Sequence, residues 1–132
     1  MTESMLVTIA SRKTVEQTAT ALHAAVQAHH FGVLHVHDLK ETMAKKGVVF
    51  EHACLIFEVC QPQQAKKVLE QNMGISTGLP CRISVYEEGG KTMLATLKPT
   101  MLLGALGLPQ LDAVAREVEQ AIVSMMTEAA SG

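Results

Sequence analysis

The sequence predicts an α+β fold: a two-layer sandwich in which an antiparallel β-sheet carries two long helices on one face. The expected core order is β-α-β-β-β-β-α with short extra helices. Three observations point there. Short apolar runs with period-two alternation recur along the chain and read as strands. Two of them are joined at Gly89-Gly90, a hairpin signal that favours antiparallel pairing. Near each end lies a long stretch with apolar residues at helical spacing, and two such helices can cover only one face of the sheet.

The elements follow in order. Residues 5–10 form an apolar, β-branched run and read as the first strand. Thr14-Val15-Glu16-Gln17 has the form of a capping box, and Val15, Ala19, Leu22, Val26 and His29 then recur along one helix stripe. Gly32 is expected to close that helix. Residues 33–38 read as the second strand, and Asp38-Leu39-Lys40-Glu41 as the start of a short helix ended by Gly47. A third strand is expected over 52–60, with Ala53, Leu55, Phe57 and Val59 alternating on one face.

Pro62 suits the first position of a third helix, whose buried side is Ala65, Val68 and Leu69. Residues 74–80 read as a loop, 81–88 and 91–98 as the hairpin strands, and 99–109 as irregular with an apolar Met101-Leu102-Leu103. The last helix aligns Leu111, Val114, Ala115, Val118, Ile122 and Met125, and the tail 129–132 is expected to fray.

A chain of 132 residues fits one domain, 1–132, with a core at about 4–128. It is 48% hydrophobic but only 3% aromatic, so the core must be aliphatic and methionine-rich. The formal net charge is −2, and the pairs Lys45-Lys46 and Lys66-Lys67 stand isolated, which leaves no basic stripe for a nucleic acid. No run approaches the length of a membrane span, and Met1-Thr2-Glu3-Ser4 lacks the basic flank of a leader. Three cysteines without CxxC spacing argue for a reducing compartment, so the expected location is the cytoplasm.

Two segments carry a resemblance. Phe57-Glu58-Val59-Cys60-Gln61-Pro62, followed by Ala65-Lys66-Lys67-Val68-Leu69, resembles an "EvCNP…AkklL" segment. Leu79-Pro80-Cys81-Arg82-Ile83 with Val85-Tyr86-Glu87 resembles an "LPCRi.VYE" segment. Gly32-Val33-Leu34 and Lys46-Gly47 fall where the same pattern expects them. Together they are similar to the domain-of-unknown-function family number 302. The resemblance implies a TATA-binding-protein-like α+β fold and a homodimer, and no activity. Gln61 departs from the Asn more usual there, and other branches lack the preceding cysteine.

Two groups of residues could carry chemistry. Cys60 ends a strand where the third helix starts at Pro62, and a helix N-terminus favours a thiolate. Cys81 opens the next strand, with Arg82 beside it, so antiparallel pairing brings both thiols to one end of the sheet, at a pocket edged by the third helix and the loop 74–80. Cys81 shares its face with Ile83 and Val85, whereas Cys60 alternates away from Phe57 and Val59, so a resting disulfide is not expected. Plain packing of small buried thiols accounts for the same residues.

His35 and His37 share one strand face and His52 lies on the next strand, which could assemble a transition-metal or haem site. A polar, half-exposed sheet face or a subunit interface is the plainer account of the same residues. The eight methionines are scattered and read as core filling, and no nucleophile elbow, P-loop or dinucleotide fingerprint occurs.

The leading expectation is a small binding or accessory domain, homodimeric, with a small-ligand, thiol or metal site near Cys60 and Cys81, the segment 99–109 acting as a lid. The alternatives are a purely structural or protein-interaction module and a Cys-dependent enzyme with Cys60 as nucleophile. No particular cofactor is implied.

Overall fold

The computed structural model describes residues 4–131. Most of the acidic N-terminal tetrapeptide and the last residue of the tail lie outside that range. The elements are β1 (Leu6–Ser11), α1 (Val15–Ala28), β2 (Gly32–Asp38), α2 (Leu39–Lys45), β3 (Cys54–Cys60), α3 (Pro62–Gln71), β4 (Cys81–Glu88), β5 (Lys91–Leu97), α4 (Pro99–Gly104) and α5 (Asp112–Ala130), with 3₁₀ turns at Met73–Gly78 and Pro109–Leu111. The five strands form one antiparallel sheet in the order β1-β5-β4-β3-β2.

Register sorts the side chains onto two faces, because cross-strand partners point the same way. Leu55, Phe57 and Val59 of β3 pair with Val85, Ile83 and Cys81 of β4, and Leu94 of β5 sits opposite Val85 and Ile9. These side chains meet Leu22, Ala25 and Val26 of α1 and Ile122, Met125, Met126 and Ala129 of α5 in the main core. Ile83, Val85, Leu94, Ile122, Met125 and Met126 have no exposed surface. This is the two-layer α+β sandwich expected, with both long helices on one face. The aliphatic and methionine filling follows from the scarcity of aromatics.

Local chemistry sets the boundaries. Thr14 caps α1 as a full capping box with Gln17. Gly32 does not close this helix. His30 takes the left-handed conformation, φ 64°, while His30 N–H bonds Gln27 O and Phe31 N–H bonds Val26 O. That is a Schellman motif with histidine in the glycine position, secured by the burial of Phe31. Gly32 instead opens β2 opposite Cys60.

Asp38 caps α2 through Glu41 N–H, and Gln61 caps α3 through Gln64 N–H with Pro62 at the first position. Strand β3 begins at Cys54, so His52 and Ala53 lie before it. The segment 99–109, expected to be irregular, contains α4, and the loop 74–80 is largely a 3₁₀ turn. The tail does not fray at Ala129. Its side chain is fully buried, its carbonyl accepts Lys13 Nζ at 2.9 Å, and α5 runs on to Ala130.

A bulge in β2 changes which residues share a face. Val33 pairs with Val59, yet His35 pairs with Glu58, so Leu34 is the extra residue. Val33 therefore joins the helix-covered core, while His35 and His37 face the other side. Simple alternation would put Val33 on the face of the histidines, and Leu39 leaves the sheet altogether, since it begins α2. The open face keeps Leu6, Thr8, Ala10, His35, Arg82 and Leu97 exposed.

Candidate ligand site

A second apolar cluster lies off one end of the sheet. Val68 of α3, Ile75 of the first 3₁₀ turn, Leu103 of α4, Leu111, and Ala115 of α5 pack together there, with Leu79, Leu108 and Val114 against them. Between this cluster and the sheet end is a cavity of about 290 Å³. Most of its wall comes from five places, and Phe31, just before β2, adds to it. The sheet supplies Ile56, Val59 and Cys60 at the end of β3, Cys81, Arg82 and Ser84 at the start of β4, Ala95, Thr96 and Leu97 at the end of β5, and Leu6 of β1. Helix α3 supplies Gln61, Gln64, Ala65 and Val68, and the turn after it Ile75, Gly78, Leu79 and Pro80. Pro99, Leu102 and Leu103 of α4 and Val114, Ala115 and Val118 of α5 close the remainder.

Antiparallel topology explains the convergence. Strands β3 and β5 end where β1, β2 and β4 begin, so the connections through α3 and α4 must both cross this end of the sheet. The spacing 61, 64, 65, 68 is one stripe of α3, which turns that stripe onto the cavity. Helix α4 is tied down by Glu119 of α5, whose Oε1 accepts Thr100 N–H at 3.1 Å and Thr100 Oγ1 at 2.6 Å.

Cys60 and Cys81 both line the cavity and both are free thiols. Cys81 pairs with Val59 and faces the helices, and Cys60, one residue on, alternates to the other face. Burial pushes the Cys60 thiol above its ordinary value. Burial, aided by the nearby Cys60, pushes Cys81 up to about 11. Burial thus works against the thiolate expected of Cys60 at the start of α3. Pro62 begins α3 exposed and is not among the lining residues.

Arg82 stands at the cavity with its guanidinium Nη2 3.4 Å from Glu58 Oε2, and Glu58 Oε1 is 3.4 Å from His37 Nε2. The rings of His35 and His37 meet edge to face at 4.3 Å. His52 belongs elsewhere. It lies against Phe50, at a cleft of about 220 Å³ with Cys54, Tyr86, Glu87 and Glu88, at the opposite end of the sheet. Among the described residues, no group of three or more His, Cys, Asp or Glu is placed to hold a metal ion. His35 and His37 thus join Glu58 and Arg82 in a polar strip across β2, β3 and β4, apart from His52.

Residues 7–129 match the family described as a domain of unknown function, DUF302. The chain belongs to the DUF302 family. The resemblance of the Cys60 and Cys81 segments therefore extends to a match across nearly the whole chain. A DUF302 structure from Bacillus stearothermophilus, that of an uncharacterized conserved protein, is similar at a TM-score of 0.91 and 31% identity, covering 96% of this chain and 99% of that one. No curated protein matches the sequence.

In this DUF302 chain, Gln64, Ala65, Leu102 and Val114 are among the lining residues that the sequence did not assign to a site. One signal pointed to Gln64. It is a glutamine inside the stripe that Ala65 and Val68 define as buried. Among the described residues, Gln64 Oε1 is the one buried side-chain polar atom without a hydrogen-bond partner. No helix among the described residues is long and apolar enough to cross a membrane.

Proposed function

We propose that the chain is a small-molecule-binding module whose site is the cavity at the Cys60–Cys81 end of the sheet. The observation that carries this reading is the cavity itself, about 290 Å³ and walled mainly by Val, Ile, Leu, Ala and Pro side chains. That is close to the lower size of ligand pockets, and a few placed polar groups in an apolar wall are their usual chemistry. Helix α4, at the expected lid position, forms one side. The thiols act as neutral wall groups, since burial holds both in the protonated form. A Cys-dependent reaction is correspondingly disfavoured. The odd cysteine count supports placing the module in the cytoplasm.

The test is equilibrium binding of N-phenyl-1-naphthylamine, a neutral apolar fluorophore, to the wild-type chain and to Ala65→Leu. Saturable enhancement at one site per chain, weakened at least tenfold by the added bulk, supports the reading. Equal binding by both proteins at unchanged thermal stability contradicts it.

A homodimer through the open sheet face is the second element of the proposal. Leu6 and Leu97 are register partners on that face, 48% and 51% exposed, and both also line the cavity. A stable pairing there would bury on the order of 1,200–2,000 Å² in total. Sedimentation of wild type and Leu97→Asp distinguishes it: a dimer that dissociates in the variant supports the assignment, and a monomeric wild type at micromolar concentration rejects it.

A further inference from the structure

We infer that the ligand of this cavity is an amphiphile, an aliphatic body that ends in a carboxylate, with its head group held by Arg82 and Ser84 of β4. This rests on the small-molecule reading above and adds the chemical class.

The polar side chains of the wall divide into those already engaged and those left over. Gln61 Oε1 accepts Gln64 N–H at 2.9 Å, and Gln61 Nε2 donates to Gln63 Oε1 at 2.6 Å. Thr96 Oγ1 donates to Arg82 O at 2.7 Å. Gln64 Oε1 has essentially no solvent-accessible surface, so it does not meet the cavity. What remains is the Arg82 guanidinium, the Ser84 hydroxyl and Gln64 Nε2. Ser84 Oγ makes no side-chain hydrogen bond among the described residues, yet it is not sealed from solvent. A guanidinium and an amide nitrogen can only donate, and a hydroxyl is able to. The wall therefore calls for an acceptor on the ligand.

Strand geometry puts two of these donors side by side. Arg82 and Ser84 are two residues apart on β4, so their side chains leave the same face about 6.6 Å apart, within the reach of a long arginine side chain. Ser84 lies in register between Ile56 and Ala95, and Leu6 and Leu97 complete that part of the wall. Beyond the strand ends the lining is Val68, Leu102, Leu103 and Val118. The cavity is thus polarised, with an apolar depth and a polar rim.

Charge decides the kind of acceptor. Arg82 is the one charged residue in the lining. Glu58 lies outside it and meets Arg82 Nη2 at 3.4 Å, beyond the roughly 2.7–2.9 Å of a charge-assisted hydrogen bond, while its other oxygen is 3.4 Å from His37 Nε2. The guanidinium therefore keeps donors for a second carboxylate. Its side chain is 55% exposed, so a carboxylate meeting it at the rim retains water and escapes the full cost of burying a charge.

The test titrates the whole chain by calorimetry at pH 7 with three probes of one chain length: decanoate, 1-decanol and decylammonium. In the wild type, decanoate is expected to bind about tenfold more tightly than 1-decanol, the low end of the worth of a hydrogen bond to a charged group. In Arg82→Gln that preference is expected to vanish while 1-decanol binds as before. In Ser84→Ala decanoate is expected to weaken roughly threefold. In Glu58→Gln, which removes the competing carboxylate, decanoate is expected to tighten. Equal affinity for decanoate and 1-decanol in the wild type overturns the inference and leaves the cavity reading standing. So does a preference that survives in Arg82→Gln, or decanoate binding unchanged in both Ser84→Ala and Glu58→Gln. Tightest binding by decylammonium, lost in Glu58→Gln, overturns it in favour of a cationic head group. If none of the three probes binds, the cavity reading falls and this inference with it.

Discussion

Cys60 and Cys81 sit at the same end of the sheet on adjacent strands, one diagonal step apart in register, and point to opposite faces. Cys81 lies level with Val59 in the main core, and Cys60 continues past it toward the open face. Both remain thiols, and both contribute to one cavity because that cavity wraps the strand ends.

Alkylation follows from this arrangement. Reaction requires thiolate, and burial holds both groups protonated, Cys81 more strongly. With iodoacetamide from pH 5 to 9, Cys60 is expected to react faster than Cys81, and neither faster than a free cysteine peptide. Rates for Cys60 above the peptide at pH 7 would restore an activated thiolate and the enzyme reading with it.

Stability against pH carries the same signature with a definite sign. Cys81 rises from an ordinary 9.0 to about 11 in the folded chain, so the folded state holds its proton more tightly than the unfolded one. The contribution is complete below pH 9 and is lost as pH climbs through the window 9 to 11. Urea midpoints of wild type should fall faster across that window than those of Cys81→Ala. Parallel slopes would show that Cys81 titrates normally.

Helix α4 depends on Glu119 for its first turn. Glu119→Ala removes two hydrogen bonds to Thr100, one from the backbone and one from the hydroxyl. A cost of about 1.5–3 kcal/mol is expected, typical of hydrogen bonds to a charged group. Hydrogen exchange should quicken over Pro99–Gly104 while the sheet is unaffected. Uniform loss of protection across the chain would place Glu119 in the global core instead.

Much of this architecture is legible in the sequence, and the failures have physical causes. The capping box at Thr14, Pro62 at a helix start and Gly89-Gly90 at the hairpin are local signals that packing does not override. The Schellman turn at His30 is hidden, because histidine seldom takes the glycine position and Gly32 stands two residues away. The bulge at Leu34 is hidden too: alternation alone puts Val33 and His35 on one face, and only the partner strand shows otherwise. The tail is held by Lys13, more than a hundred residues distant, which no window of sequence reveals. The thiols at the site were readable from strand order. Leu102 and Val114 were not, since their cavity forms only when α4 and α5 are docked.

The central claim is that the space between α3, α4 and the strand ends takes a small molecule. The most direct measurement is methyl carbon-13 NMR of the whole chain during titration with N-phenyl-1-naphthylamine. Saturating shifts confined to Val68, Ile75, Leu79, Leu102, Leu103 and Val114 are the predicted result. Shifts that fall instead on the exposed Leu34, Val48 and Val49, or spread without saturation, would contradict it.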